Sequence, residues 1–386
     1  MSERATHYLL LSDIHLGAET AHRRQLTVAG TSNPPAGPHA LDLNLTALLE
    51  HYRAQAAPEE RWTLVVAGDV VDFVSMAVAP SDGAYDKAPA RDPEVQAEPG
   101  DSEINQAISK LMAVAQLHDL AFRSLARFVS DGHHLVLVRG NHDLAFYWEP
   151  VRRTFVDELR KRADLGEHDE AGDAFESRIE FRDWFYYVEG QLYVEHGHLY
   201  DETCCCQNAL APVSPRDPAR LIDSFSDILE RCVVRPTRGL VTEGHENRTL
   251  LHYLWLAFSL GLSGCASLLV RFTGSVVRLL RAWRASLDRG ETAVRAKHER
   301  RMKQLAGRFR LKEELLRSLS SLWAVPVTRS LTSIFRSLFL DVLLVLGGLV
   351  LFLAGVALFE LAPPWLLLLL TLPIAGGMAL WIRRRR

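Results

Sequence analysis

Three short apolar runs, each breaking off into polar residues, constrain this chain more than any other feature. They are His7 to Asp13 (HYLLLSD), Trp62 to Asp69 (WTLVVAGD) and His134 to Asn141 (HLVLVRGN). Runs of this length, rich in Leu and Val, read as buried strands, and the segments between them, 40 to 56 and 102 to 130, carry helical spacing. Strand and helix alternating in this way predict an α/β domain, whose ligand sites form beyond the carboxyl ends of its strands. The polar residues therefore sit where chemistry is expected. A helix is predicted near 149 to 163, and alternating runs at 177 to 188 and 191 to 196, split by EGQ, predict a hairpin. The stretch 76 to 103, rich in Pro, Ala, Asp and Gly, reads as a surface insertion.

The first strand ends in SDIHLG, with Asp13 and His15 two apart, so that on an extended strand both side chains face one side. A carboxylate and an imidazole aimed together make half a metal site. In GDVVD, Gly68 permits a tight turn and Asp69 supplies a carboxylate able to bridge two cations, while Asp72 reads as a group that orients a ligand. RGNHD offers the amide oxygen of Asn141, the imidazole of His142 and the carboxylate of Asp143, and EHGHLYDE adds His196 and His198. Any one of these histidines is as well explained by a structural role. The ordered set, each member at a predicted strand end, is what points to a site.

SDIHLG, GDVVD and GNHD resemble the first three motifs of the calcineurin-like metallophosphoesterases, and HGHLYD resembles their fourth, over about residues 7 to 203. The resemblance implies a four-layered α/β/β/α sandwich with two divalent transition-metal ions. It implies that Asp13 and His15 hold the first metal, Asp69 bridges both, Asn141 and His196 hold the second, and His142 is the catalytic histidine at the phosphoryl group. Mixed oxygen and imidazole ligands suit Mn, Fe or Zn better than Mg or Ca. In such a scheme a hydroxide activated by both metals attacks in line with the leaving group. SDIHLG and GDVVDF are also similar to the subgroup that includes UDP-2,3-diacylglucosamine pyrophosphohydrolases; GNHD stands where those enzymes carry Arg after the Asn, so their substrate is not carried over. The family's closing GHxH motif is missing. EGHEN at 243 to 247 offers His245 but has Asn247 in the place of the second imidazole. Two expectations follow: an N-terminal portion of a longer protein that carries GHxH further on, or a complete protein whose site is finished by His198, His245 or water.

The balance of 44 basic and 47 acidic residues conceals an asymmetry, since residues 1 to 230 hold 20 basic and 38 acidic side chains and residues 231 to 386 hold 24 and 9. An acidic first half argues against a nucleic-acid surface and suits a site that collects cations. The segment 278 to 317 has thirteen Lys or Arg against five acids and reads as a solvated helical face, compatible with contact to a membrane surface. Val342 to Phe359 and Trp365 to Ile382 are each eighteen residues without a charge, close to what a helix needs to cross a hydrocarbon core of about 30 Å. ELAPP joins them, and Arg329, Arg336 and Arg383 to Arg386 flank them, which predicts a transmembrane hairpin with both flanks in the cytoplasm. Five cysteines, three of them consecutive at Cys204 to Cys206, give no spaced disulfide framework and fit a reducing compartment. The expected organisation is a metallophosphoesterase domain at 1–203, a helical basic region at 204–337 and a membrane hairpin at 338–386. The expected activity is hydrolysis of a phosphoester or pyrophosphate in a phosphorylated small molecule or lipid-linked substrate, on the cytoplasmic face of the inner membrane. A membrane scaffold that keeps the fold with an incomplete site is the alternative.

Overall fold

A computed structural model describes residues 7–18, 26–27, 39–57, 60–76, 78–79, 103–165, 170–237, 250–288, 290–339 and 347. In chain order the strands are β1 (His7–Leu11), β2 (Leu26–Thr27), β3 (Trp62–Ala67), β4 (Val78–Ala79), β5 (His134–Val138), β6 (Ile179–Arg182), β7 (Phe185–Val188) and β8 (Leu192–Glu195). The helices are α1 (Ala40–Gln55), α2 (Glu103–Leu117), α3 (Asp119–Ser130), α4 (Glu149–Arg162), α5 (Glu170–Glu176), α6 (Phe225–Leu229), α7 (Leu250–Ser286), α8 (Glu291–Phe309) and α9 (Glu313–Ser320).

The three apolar runs are β1, β3 and β5, which lie side by side and parallel, with β6 added beyond β5. Register places Leu9 beside Leu64, Leu64 beside Leu135, and Leu135 beside Ile179, so one row of aliphatic side chains crosses the sheet. That face is buried under α1 to α4, against Leu49, Leu111, Phe122 and Phe155. Full burial of each such side chain contributes about 1.5–3 kcal/mol. The opposite face presents Val65, Val136 and Val138 to Tyr186 and Val194 of the β7–β8 hairpin. A strand apolar on both faces must be covered on both, and here the covers are helices on one side and the hairpin on the other.

The run 177 to 188 is not one arm of a hairpin. Its first half is β6, the fourth parallel strand, and the chain turns at Asp183 before β7 pairs antiparallel with β8. Asp183 fixes that corner by accepting from Arg139 at 3.1 Å, Arg152 at 2.5 Å and Arg301 at 3.3 Å, cations brought from three separate elements.

Outside the hairpin lies a fourth layer. Met302 and Ala306 of α8 and Leu316 of α9 pack with Trp184, Phe185 and Leu199, and the rings of Phe309 and Phe185 are 5.0 Å apart. Helix, sheet, hairpin and helix therefore follow one another, and the outermost layer comes from the segment whose sequence reads as a basic accessory region. Cys205 and Cys206 are buried in that layer as free thiols.

By compactness the chain divides into a unit of residues 1–329 and a unit of 330–386, and in the second the described residues 331–339 are helical. Among the described residues no helix is long and apolar enough to cross a membrane. The predicted spans 342–359 and 365–382, His245 with its EGHEN segment, and nearly all of the insertion 76–103 lie outside the described residues.

Candidate metal centre

Beyond the carboxyl ends of β1, β3 and β5 the chain leaves the sheet through three turns joined by backbone hydrogen bonds. His15 N donates to the Asp69 carbonyl at 2.8 Å, Leu16 N to Val70 at 3.0 Å, Asp72 N to Leu16 at 3.0 Å, and Phe73 N to the His142 carbonyl at 3.1 Å. Asp13, His15 and Asp69 all have left-handed backbone, with φ of 55°, 49° and 51°. Such conformations cost about 1–3 kcal/mol each and gather at functional sites, where the surroundings impose them.

This backbone corrects one expectation. The first strand ends at Leu11, so Asp13 and His15 are not alternate residues of an extended strand, and they join different side-chain groups. One group is His15, Asp72 and His142; the other is Asp13, Asp69 and His196; within each, the candidate ligand atoms lie within 4.8 Å of one another. Asp69 stands between them, with Oδ2 3.5 Å from His15 Nε2 and 3.2 Å from His196 Nε2. Its Oδ1 accepts from His142 N at 2.8 Å.

Each imidazole is oriented through its Nδ1. His196 Nδ1 donates to the Ala67 carbonyl at 2.8 Å, which turns Nε2 toward Asp69 and toward the Asn141 amide oxygen at 3.1 Å. His15 and His142 both direct Nδ1 at Asp72, at 3.3 and 2.9 Å. Asp72 is in turn held by the N–H groups of Val74 at 3.0 Å and Ser75 at 2.7 Å. A carboxylate that fixes ring orientation and raises imidazole basicity is the arrangement found behind metal-bound histidines.

Charge follows geometry. Burial pulls His142 down, but the Asp72 carboxylate outweighs it and pushes the ring up to about 10. Burial likewise opposes, and Asp69 overcomes, a rise of His196 to about 9. For Asp72, burial works against ionisation, yet the two histidines hold it well below the usual carboxylate range. Asp143 is different: burial and the neighbouring Asp69 push it up to about 7. Its two oxygens accept from Gly140 N at 2.6 Å and Val70 N at 3.0 Å, so it ties the second turn to the third.

Two glycines are required by close approach. A Cβ on Gly140 would stand 2.1 Å from Asp69 Oδ1, and one on Gly68, where φ is 93°, would stand 2.4 Å from the His196 ring. Any side chain at either place would displace a candidate ligand.

His198 lies outside both groups, its ring 5.2 Å from that of His196. Its Nδ1 is buried without a hydrogen-bond partner, and burial together with the neighbouring His196 pushes it down to about 3. A neutral imidazole with an unpartnered nitrogen is a donor suited to a cation. Together with the converging carboxylates and oriented rings, it makes the donor set fit divalent metal. His118 is a participant that no sequence motif announced. It breaks 103–130 into α2 and α3, places Nδ1 2.7 Å from Asp42, and accepts from Gly17 N at 3.2 Å, anchoring the first turn to the helices.

The calcineurin-like phosphoesterase family model matches residues 6–247 of the chain. The chain belongs to this family and is a phosphoesterase hydrolase whose activity depends on metal. Comparison with curated proteins and with solved structures finds no match.

Proposed function

We propose that this protein hydrolyses a phosphoester or pyrophosphate with two divalent transition-metal ions, Mn, Fe or Zn, at the cytoplasmic face of the inner membrane. The observation that carries the two-metal reading is the position of Asp69, whose one oxygen faces an imidazole of each group. Asp13, Asp69, Asn141 and His196 would hold one ion, and His15 with Asp69 would hold the other, with His198 available to complete a shell. Bound there, the cations would supply Lewis-acid polarisation of the phosphoryl oxygens and a water acidic enough to lose its proton near neutral pH.

The chain's own contribution is orientation and proton control. Asp72 grips Nδ1 of His142 and favours the protonated ring. The ring borders two cavities, so its free edge is available to neutralise charge on the phosphoryl group or to protonate the leaving oxygen. The membrane part of the reading rests on the two uncharged stretches 342–359 and 365–382 and the arginines around them.

Two measurements test it. Metal analysis after manganese supplementation is expected to find about two ions per chain, with hydrolysis of phosphomonoesters or diesters in detergent; a protein that takes up none contradicts the proposal. Reporter fusions at residues 200 and 386 are expected to agree on a cytoplasmic location, and a periplasmic signal from either refutes the topology.

A further inference from the structure

Resting on that phosphoesterase reading, we propose that the larger cavity beside His142 receives the alcohol portion of the substrate. It favours an apolar alcohol that carries a hydrogen-bond donor over one that carries a second negative charge.

The cavity measures about 450 Å³ and is bounded on one side by His15, Asp72 and His142. Its opposite wall is the helical segment from Phe225 to Val234, in which Phe225, Leu229 and Val234 supply apolar surface. The last turn of that segment, Glu230–Val234, is a π-helix, a rare form concentrated at functional sites. Two acids share this wall, and they are not equivalent. Asp227 is committed to the helix start, where it closes a capping box by accepting from Ser224 N at 2.8 Å. Glu230 is not so used: its Oε1 is buried without a hydrogen-bond partner, and the Ser75 hydroxyl, itself without one, lies close enough to favour the charged carboxylate. Burial and the charge of Asp72 push this carboxyl up to about 7.

A buried acceptor without a partner is costly, and a ligand that brings a donor removes that cost. At the wall away from His15 and His142, a ligand that brings a carboxylate or a further phosphate meets Asp227 and Glu230 instead. Among the described residues no Lys or Arg lines this cavity, whereas Lys110 and Arg231 line the smaller one, which also borders His142. Hydroxyl- or amine-bearing apolar alcohols fit such a wall, and nucleoside polyphosphates do not.

The test uses three phosphonates that cannot be hydrolysed and that differ at the far end of a six-carbon chain: 6-hydroxyhexyl, hexyl and 5-carboxypentyl. Titrated calorimetrically into the manganese-loaded full chain, the hydroxyl compound is expected to bind about tenfold tighter than hexyl. The carboxylate compound is expected to bind at least as much weaker than hexyl. Glu230→Gln should bring the carboxylate compound to within about threefold of hexyl, and Leu229→Lys, which adds a cation to the wall, should make it the tightest of the three. A carboxylate tail that binds the unaltered protein as well as the hydroxyl tail overturns the proposal. An order unmoved by both variants, or no binding of any phosphonate, overturns it as well. Hydrolysis of hexyl phosphate by the same preparation is read separately. Turnover with a flat affinity order defeats the pocket alone, whereas the expected order without turnover defeats the phosphoesterase reading.

Discussion

The two side-chain groups at the sheet rim contain the same residue types and are held in different ways. In the first, His15 and His142 both rest on Asp72, a fully buried carboxylate that also takes two backbone N–H groups. In the second, Asp13 is largely exposed and its carboxylate is met by the Ser12 hydroxyl at 3.2 Å, while the Nδ1 of His196 rests on a backbone carbonyl and, among the described residues, no buried carboxylate stands behind the ring as Asp72 does. The first group is thus organised by the protein before any ion arrives. The second has a ligand that an ion must draw in. For the two proposed ions unequal affinities are expected, because only one group would have to spend binding energy on order.

The strongest way to break this comparison is to remove what the groups share. Asp69→Ala should strip both ions and lower activity to background, measured by metal analysis and turnover together. Gly140→Ala should act in the same direction, since its Cβ would occupy the place of Asp69 Oδ1. Retention of one ion and most of the turnover by Asp69→Ala would show the groups to be independent. Next comes His142→Ala, expected to lose about 100-fold or more in rate while keeping its metals. Loss of both ions in that variant would make His142 a ligand and not a proton donor.

A smaller effect sharpens the contrast between the groups. Asp72→Asn should cost about 10–100-fold in metal affinity or activity, the usual range for a group behind a ligand. Asp13→Asn should disturb only the weaker of the two ions. Equal losses at both sites in both variants would mean that the groups are not organised differently.

Much of this centre was legible in the sequence because short apolar strands end where ligands sit, so Asp13, Asp69, Asn141 and His142 announced themselves by position. Other features had no local signal. β6 and β7 form one alternating run, and nothing in it shows that Asp183 gathers three arginines and turns the corner. The pairing of Asp13 and His15 on one face followed from an extended strand; left-handed backbone at both residues, imposed by neighbouring turns, separated them. The outer helices were hidden by their charge. In α8 and α9 the apolar residues Met302, Ala306, Phe309 and Leu316 recur at helical spacing, but within 278–317 and its thirteen basic residues they read as a solvated face. Asp72 was recognisable as an orienting group, yet that it serves two rings at once required the third turn to fold against the second.

The smallest expected effect concerns protons. In the metal-free protein His15 is raised above its ordinary 6.5 and His196 is pushed up to about 9, so the His196 ring carries a proton at neutral pH. Metal takes a neutral imidazole, and binding at His196 therefore releases its proton. The sign is set by the upward shifts. Below about pH 9 the proton competes with the ion, so manganese affinity should rise between pH 7 and 9, by about tenfold per pH unit for each proton displaced. The same shift acts oppositely on the metal-free fold: the stability supplied by protonated His196 is fully present below pH 6.5 and is lost as pH rises through about 9. Titration of manganese at pH 7, 8 and 9, in buffers of different ionisation enthalpy, counts the protons released. Asp72→Asn distinguishes the groups, because it removes the partner of His15 and leaves that of His196 in place, so the proton released from His196 should still appear. An affinity that stays flat from pH 7 to 9 would mean that His196 yields no proton to the ion, and would remove His196 from the ligand set.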